Sequence, residues 1–137
     1  GLESATVDLF QKISGSGVIN ASARFHDYRE RLKEEQEMLV FRVIQEIVNN
    51  IIKHSNSAFI HLTQNATPAN SYIRIHHDGK GIVQTEFDRL SQVANGLGLK
   101  NIASRIKVLN GRILFEIDSS HTYYKVTIEI PKEPIGS

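Results

Sequence analysis

The chain has 137 residues, enough for one domain with a buried core, and its 40% hydrophobic and 23% charged residues are ordinary for a globular protein. A formal net charge of +1 provides no strong field for nucleic acid or anionic lipid, and the lack of cysteine excludes a disulfide framework, thiol chemistry and thiolate-held zinc. No apolar run approaches the roughly 18 residues a membrane helix needs, and no signal peptide is visible.

Val7, Leu9, Phe10 and Ile13 predict a short helix over Leu2 to Ile13. Ser14-Gly15-Ser16-Gly17 reads as a turn, and the alternation of Ile19, Ala21, Ala23 and Phe25 as a strand. A charged connector leads into a long helix from about Lys33 to His54, with Glu30 to Glu37 expected to be only its solvated entry. Ala58, Ile60 and Leu62 alternate in the next strand, Gln64 to Asn70 reads as a loop, and Ile73 and Ile75 mark a further strand. Glu86 to Val93 is a short helix by pattern, and Leu99, Ile102, Ile106 and Leu109 define another amphipathic helix, stopped by Asn110-Gly111. Ile113 to Ile117 and Tyr124 to Ile130 form a hairpin across Asp118-Ser119-Ser120, and Pro131 closes the domain. Strands clustered in hairpins, without one-for-one alternation with helices, predict a two-layer α/β sandwich. Its sheet is mixed, mostly antiparallel, and covered by helices on one face. Met38 is the only methionine, so Gly1 reads as a cloning scar or a cut site, and residues 1–137 as one excised domain.

The long helix carries the most chemical information. Asn49 and Asn50 are poor choices in mid-helix, because asparagine competes for backbone hydrogen bonds. At about 100° per residue, Asn50 lies about 40° and Lys53 about 20° from Glu46, while Val40, Phe41, Ile44, Ile47, Val48, Ile51 and Ile52 occupy the opposite arc. The apolar arc must pack, and the polar arc is left for solvent or a ligand. Two glycine clusters follow. Asp78-Gly79-Lys80-Gly81 comes off a strand, and Gly96-Leu97-Gly98-Leu99 opens a helix, where free N–H groups make an anion site. Gly96-Leu97-Gly98 is neither a dinucleotide fingerprint nor a Walker loop. The adjacent His76-His77 pair is no metal site, because neighbouring strand residues face opposite ways. His54 can serve simply as a cation at the helix C-terminus.

The order is an acid–asparagine helix, Asp-Gly-x-Gly off a strand, Gly-Leu-Gly-Leu opening a helix, then a closing hairpin. In that order the motifs resemble the ATP-binding domain of sensor histidine kinases, within the GHKL superfamily of gyrase, MutL and heat-shock chaperones. Gln45-Glu46 through Lys53-His54 and Gly96 through Ile102 look most like the branch with nitrate- and lipid-responsive sensors. The resemblance implies the Bergerat ATP-binding fold and a C-terminal fragment of a longer sensor kinase. It implies Mg2+ on Asn50, bridging the ATP phosphates, and a catalytic role for Glu46, orienting water or the nucleophile. Lys53 would contact phosphate and His54 the nucleotide edge. Gly79 and Gly81 match the first glycine box, Gly96 and Gly98 the second with Leu99 beside it, and Val83 to Asn95 a short ATP lid. The activity implied is transfer of the γ-phosphoryl group to a histidine on a separate dimerisation domain of the same parent. A response regulator acts downstream, without nucleic acid or direct membrane contact. The setting is cytoplasmic, whether or not the parent is membrane-anchored.

The sequence departs from the family at the adenine end. The acid expected two residues before Gly79 is His77, while Asp78 should point the other way by strand parity. Histidine accepts a hydrogen bond more weakly than a carboxylate, which predicts weak ATP affinity. Either His77 or, by a local register shift, Asp78 would then contact the base. Gly-Thr of the last strand is replaced by Tyr123-Tyr124. No histidine sits in a dimerising helix. A degenerate nucleotide-binding or interaction module, and another GHKL ATPase or serine kinase, are the alternatives.

Overall fold

The computed structural model describes residues 1–93 and 98–133. In chain order the elements are α1 (Leu2–Gly15), β1 (Asn20–Phe25), α2 (Glu34–His54), β2 (Phe59–Ala66), β3 (Asn70–His77), α3 (Gln84–Leu90), α4 (Leu99–Val108), β4 (Arg112–Ile117) and β5 (Tyr124–Pro131). The five strands form one sheet in the order β1-β2-β3-β5-β4. Only β1 and β2 run parallel; the other three pairings are antiparallel. This is the two-layer α/β sandwich with a mixed, mostly antiparallel sheet expected from the sequence.

Period-two alternation sets the two faces of the sheet. Ile60 and Leu62 of β2, Ile73 and Ile75 of β3, and Val126, Ile128 and Ile130 of β5 are buried under the helices. The intervening residues form the open face, where Ser22, His61, His76, Lys125 and Glu116 make one row across all five strands. His76 and His77 therefore lie on opposite faces, with His77 inward.

The helix α2 covers the centre of the sheet, with Val40, Val43, Ile44, Ile47, Val48 and Ile51 at most 5% exposed. The buried arc is displaced from the sequence expectation. Ile52 is 40% exposed, whereas Val43, outside the expected arc, is fully buried. On this side α4 packs beside α2, with Gly98 at its start against Glu46.

Two other expectations are corrected. The segment Gln64 to Asn70 is not a loop, because β2 continues to Ala66 and β3 begins at Asn70. Gln64 can lie fully buried inside a strand because its amide is satisfied: Nε2 donates to the Asp27 carbonyl at 2.8 Å, and Oε1 accepts from Asp27 N–H at 3.1 Å. The entry to α2 is also more than a solvated run. The Glu37 carboxylate is buried and accepts from Leu2 N–H at 3.2 Å, Tyr28 O–H at 2.5 Å and Arg31 Nη2 at 2.8 Å. One carboxylate thus ties the start of α1 and the connector to α2.

Burial opposes ionisation of Glu37, but Arg31, Tyr28 and the Leu2 N–H outweigh it and hold the carboxyl below its ordinary 4.5. A depressed folded value contributes stability that is complete above the unfolded value and lost as pH falls through the folded one. Glu37→Gln should therefore cost about 2 kcal/mol at neutral pH and flatten the acid limb of the stability curve, measured by urea unfolding between pH 7 and pH 3. An unchanged acid limb contradicts this role.

Candidate functional site

A cleft of about 330 Å³ opens between α2, α4 and the end of the sheet. Ile47, Asn50, Ile51 and His54 line it from α2, Leu99 and Ile102 from α4, and Tyr124 and Val126 from β5. The end of β3 and the turn after it contribute His77, Lys80, Gly81 and Ile82. The walls are chiefly apolar with a few polar groups, the usual make-up of a small-molecule site.

Asn50 sits where the buried arc of α2 meets its polar stripe. The Nδ2 of its amide is buried and has no hydrogen-bond partner among the described residues. An orphaned buried amide costs about 1–3 kcal/mol unless something else satisfies it. Rotating the amide by 180° exchanges nitrogen for oxygen, so the same position can offer an oxygen to a cation. One turn earlier, the half-buried Glu46 lies against Gly98, the residue that opens α4. Gly98 has φ +74°, and a Cβ there would overlap the Glu46 carboxylate, so glycine alone fits both the backbone and the neighbour. Gly98 precedes the first turn of α4, so the Glu46 carboxylate lies beside the positive end of that helix.

The Asp78-Gly79-Lys80-Gly81 turn docks on the end of α2. Lys80 N–H donates to the Ser55 carbonyl at 2.8 Å, and Ser57 Oγ donates to the Asp78 carbonyl at 2.6 Å. Gly79 has φ +76° and leaves no room for a Cβ beneath the Ser55 carbonyl. The Asp78 carboxylate accepts from the backbone N–H groups of Ala58 and Phe59 at 2.8 and 3.0 Å, tying the exit of β3 to the entry of β2. Asp78 is thus engaged structurally and does not line the cleft. His77 does line it, at 3% exposure, with its ring stacked on Tyr124 at 5.4 Å between centroids. Burial pushes its imidazole below the ordinary 6.5, against the raising effect of the Asp78 carbonyl and charge. Gly81 is the close-approach position for the Tyr124 ring, which a Cβ would strike.

Of the residues singled out in the sequence, Asn50, His54, His77, Gly81 and Leu99 line the cleft. Glu46, Gly79 and Gly98 stand behind that wall as described. Lys53 is exposed on the polar side of α2, outside the lining, and Gly96 lies outside the described residues. Ser55, Ser57 and Ile82 went unnoticed, since each falls just beyond a periodic segment, where neither helical nor strand spacing identifies a partner. Among the described residues no three His, Cys, Asp or Glu side chains come together to hold a metal. A cation bound at Asn50 would therefore draw most of its ligands from elsewhere. A hard cation with an amide oxygen, a carboxylate nearby and ligand oxygens matches magnesium.

The chain belongs to the family of histidine kinase-, DNA gyrase B-, and HSP90-like ATPases, whose model matches residues 35–134. It is 28% identical over 85 residues to the signal transduction histidine-protein kinase/phosphatase DegS of Brevibacillus brevis, covering 62% of this chain and 21% of DegS. It is 29% identical over 101 residues to the histidine-protein kinase/phosphatase UhpB of Salmonella typhimurium, covering 74% of this chain and 18% of UhpB. The chain thus spans about a fifth of the length of these curated relatives. Its fold is similar to that of the catalytic domain of histidine kinase ThkA, with a TM-score of 0.72 at 20% identity, over 97% of this chain and 93% of that one.

The glycine turn yields a stability prediction. Gly79→Ala meets both a positive φ and a backbone carbonyl, and should cost about 1–3 kcal/mol. Gly81→Ala meets only the Tyr124 side chain, which can swing away, and should cost less. Thermal unfolding of both variants decides it, and the reverse order would show that the turn is not held against Ser55 as described.

Proposed function

We propose that the cleft binds Mg-ATP and that the chain is the catalytic domain of a two-component sensor histidine kinase. The γ-phosphoryl group would pass to a histidine on a separate dimerisation domain of the same parent, and from there to a response regulator. The observation that carries this reading is Asn50: a buried amide nitrogen with no partner among the described residues, at the edge of an apolar cleft and one helical turn from a carboxylate. Membership of the ATPase family and the histidine-kinase relatives support the same conclusion.

Asn50 would offer its amide oxygen to the magnesium ion, and Lys53 and the N-terminus of α4 would meet phosphate. Glu46 would orient the incoming nucleophile, and Ile47, Ile51, Leu99 and Ile102 would exclude water from the cleft. His54, His77 and Gly81 would bound the nucleoside end, with Gly79 holding the turn behind them. Magnesium, when bound, supplies charge neutralisation on the phosphates. Phosphoryl transfer needs little more from the protein than positioning and electrostatics. The bond to the β-phosphate oxygen breaks, a P–N bond to the acceptor imidazole forms, and ADP leaves. A cytoplasmic setting follows from the need for ATP.

Asn50→Ala should abolish magnesium-dependent ATP binding and leave the fold intact, read by calorimetric titration and circular dichroism. Glu46→Gln should lose phosphoryl transfer to an added dimerisation domain by at least tenfold, while retaining most ATP affinity. Unchanged ATP binding in Asn50→Ala, with lowered thermal stability, would instead make Asn50 a structural residue. The chain alone should acquire no acid-labile phosphohistidine from γ-labelled ATP, and such a label would refute transfer to a separate domain.

A further inference from the structure

The open face of the sheet sets two imidazoles side by side. His61 of β2 stands directly opposite His76 of β3, and strand parity turns both away from the helices and the cleft. Directly opposed residues on antiparallel strands have Cβ atoms about 4.5–5.5 Å apart, within reach of one shared ion. The His61 ring is held on two sides. Phe59 stacks on it, with 5.1 Å between centroids and 26° between planes, and Tyr123 lies against Phe59 in turn at 5.9 Å. Ser22 of β1, its register partner on the other flank, brings Oγ to 2.6 Å from Nδ1. The Cδ2–Nε2 edge of an imidazole lies opposite Nδ1, so drawing Nδ1 toward β1 turns Nε2 toward β3 and His76. A serine hydroxyl can donate or accept, so it accommodates the Nδ1–H tautomer that frees the Nε2 lone pair for a metal. His76 has no side-chain hydrogen bond among the described residues. Burial, then the charges of Lys125, Arg74 and His61, push its imidazole below the ordinary 6.5, so the ring is neutral at pH 7. The fixed cations beside it are engaged elsewhere: Lys125 Nζ lies 3.6 Å from the Glu116 carboxylate, and the Arg74 guanidinium lies over the Tyr72 ring at 5.2 Å.

We propose that His61 and His76 form a two-imidazole site for a divalent transition cation of the Zn2+ and Cu2+ class, with Ser22 orienting His61 and water completing the coordination. Neutral imidazole suits these ions, whereas Mg2+ takes oxygen ligands. The site is therefore distinct in chemistry, and by face of the sheet, from the oxygen-held ion proposed at Asn50, and it does not depend on that reading. His76 and His77 cannot share an ion because they face opposite ways; His61 and His76 can, because register rather than sequence brings them together. An ion held by both rings bridges β2 and β3 in the native pairing alone, and so stabilises the folded chain by mass action.

The test is calorimetric titration of the 137-residue chain, free of any affinity tag, with ZnCl2 and with CuCl2 in a non-coordinating buffer at neutral pH. Cu2+ should bind more tightly than Zn2+, the order of their intrinsic affinities, and excess Mg2+ should displace neither. His61→Ala and His76→Ala should each weaken Zn2+ binding about tenfold or more, and Ser22→Ala about tenfold, the usual scale for a group that orients a ligand. His26→Ala, just beyond β1, should change nothing. In long-range 1H–15N spectra of the unaltered chain, Zn2+ should shift Nε2 of His61 and a ring nitrogen of His76 together, over the same equivalent. Undiminished Zn2+ affinity in either single histidine variant, or shifts at only one of the two rings, would overturn the paired site. Undiminished affinity in Ser22→Ala would overturn the orienting role of Ser22. Neither heat nor shift with either ion would overturn the proposal outright. Because the spectra use the unaltered chain, they decide the matter even where a variant folds poorly.

Discussion

The burial of one arc of α2 on the sheet is the constraint from which the site follows. Six aliphatic side chains of this helix are almost fully covered, each contributing about 1.5–3 kcal/mol relative to exposure. That burial fixes the rotation of α2 about its axis and therefore places every other residue on it. Asn50 falls at the seam, neither in the core nor in open water. Glu46 falls beside the start of α4, and His54 at the cleft mouth. A helix turned by half a residue would bury Glu46 or expose Ile51, and neither is tolerable.

The second wall of the cleft is held by polar groups in and behind the glycine turn. Asp78 fastens the end of β3 to the start of β2 through two backbone N–H groups, and Lys80 and Ser57 fasten the same turn to the segment after α2. His77 is thereby aimed inward, and its ring is oriented by the carbonyl of the next residue. The chain uses its carboxylate for architecture and its imidazole for the wall, and burial pushes that imidazole below the ordinary 6.5.

Much of this was legible in the residues because it is periodic. Alternation along Ile73, Ile75 and His77 put His77 inward and Asp78 outward without any coordinates, and the order of the helix and glycine motifs led to the sandwich and to the cleft. What escaped was whatever depends on partners distant in sequence. Glu37 reads as one charge in a charged run, yet it is buried because Leu2, 35 residues earlier, needs an acceptor. Gln64 reads as a loop residue, yet it sits inside β2 because the backbone of Asp27 satisfies its amide. Val43 lies off the expected apolar arc and is nonetheless fully buried, because α2 packs on other helices as well as on the sheet. Helical and strand periods describe one element at a time, and each of these residues answers to a second.

Under the proposed function, the Asn50 amide, whose buried Nδ2 has no partner among the described residues, would meet the ligand. The most direct measurement is the side-chain amide resonance pair of Asn50 in NMR spectra of the labelled chain, recorded with ATP alone and then with added Mg2+. A large shift of that pair on magnesium addition, with the resonances of the open sheet face unmoved, is the predicted result. Shifts confined to the open face, or an Asn50 amide indifferent to both ATP and magnesium, would contradict it.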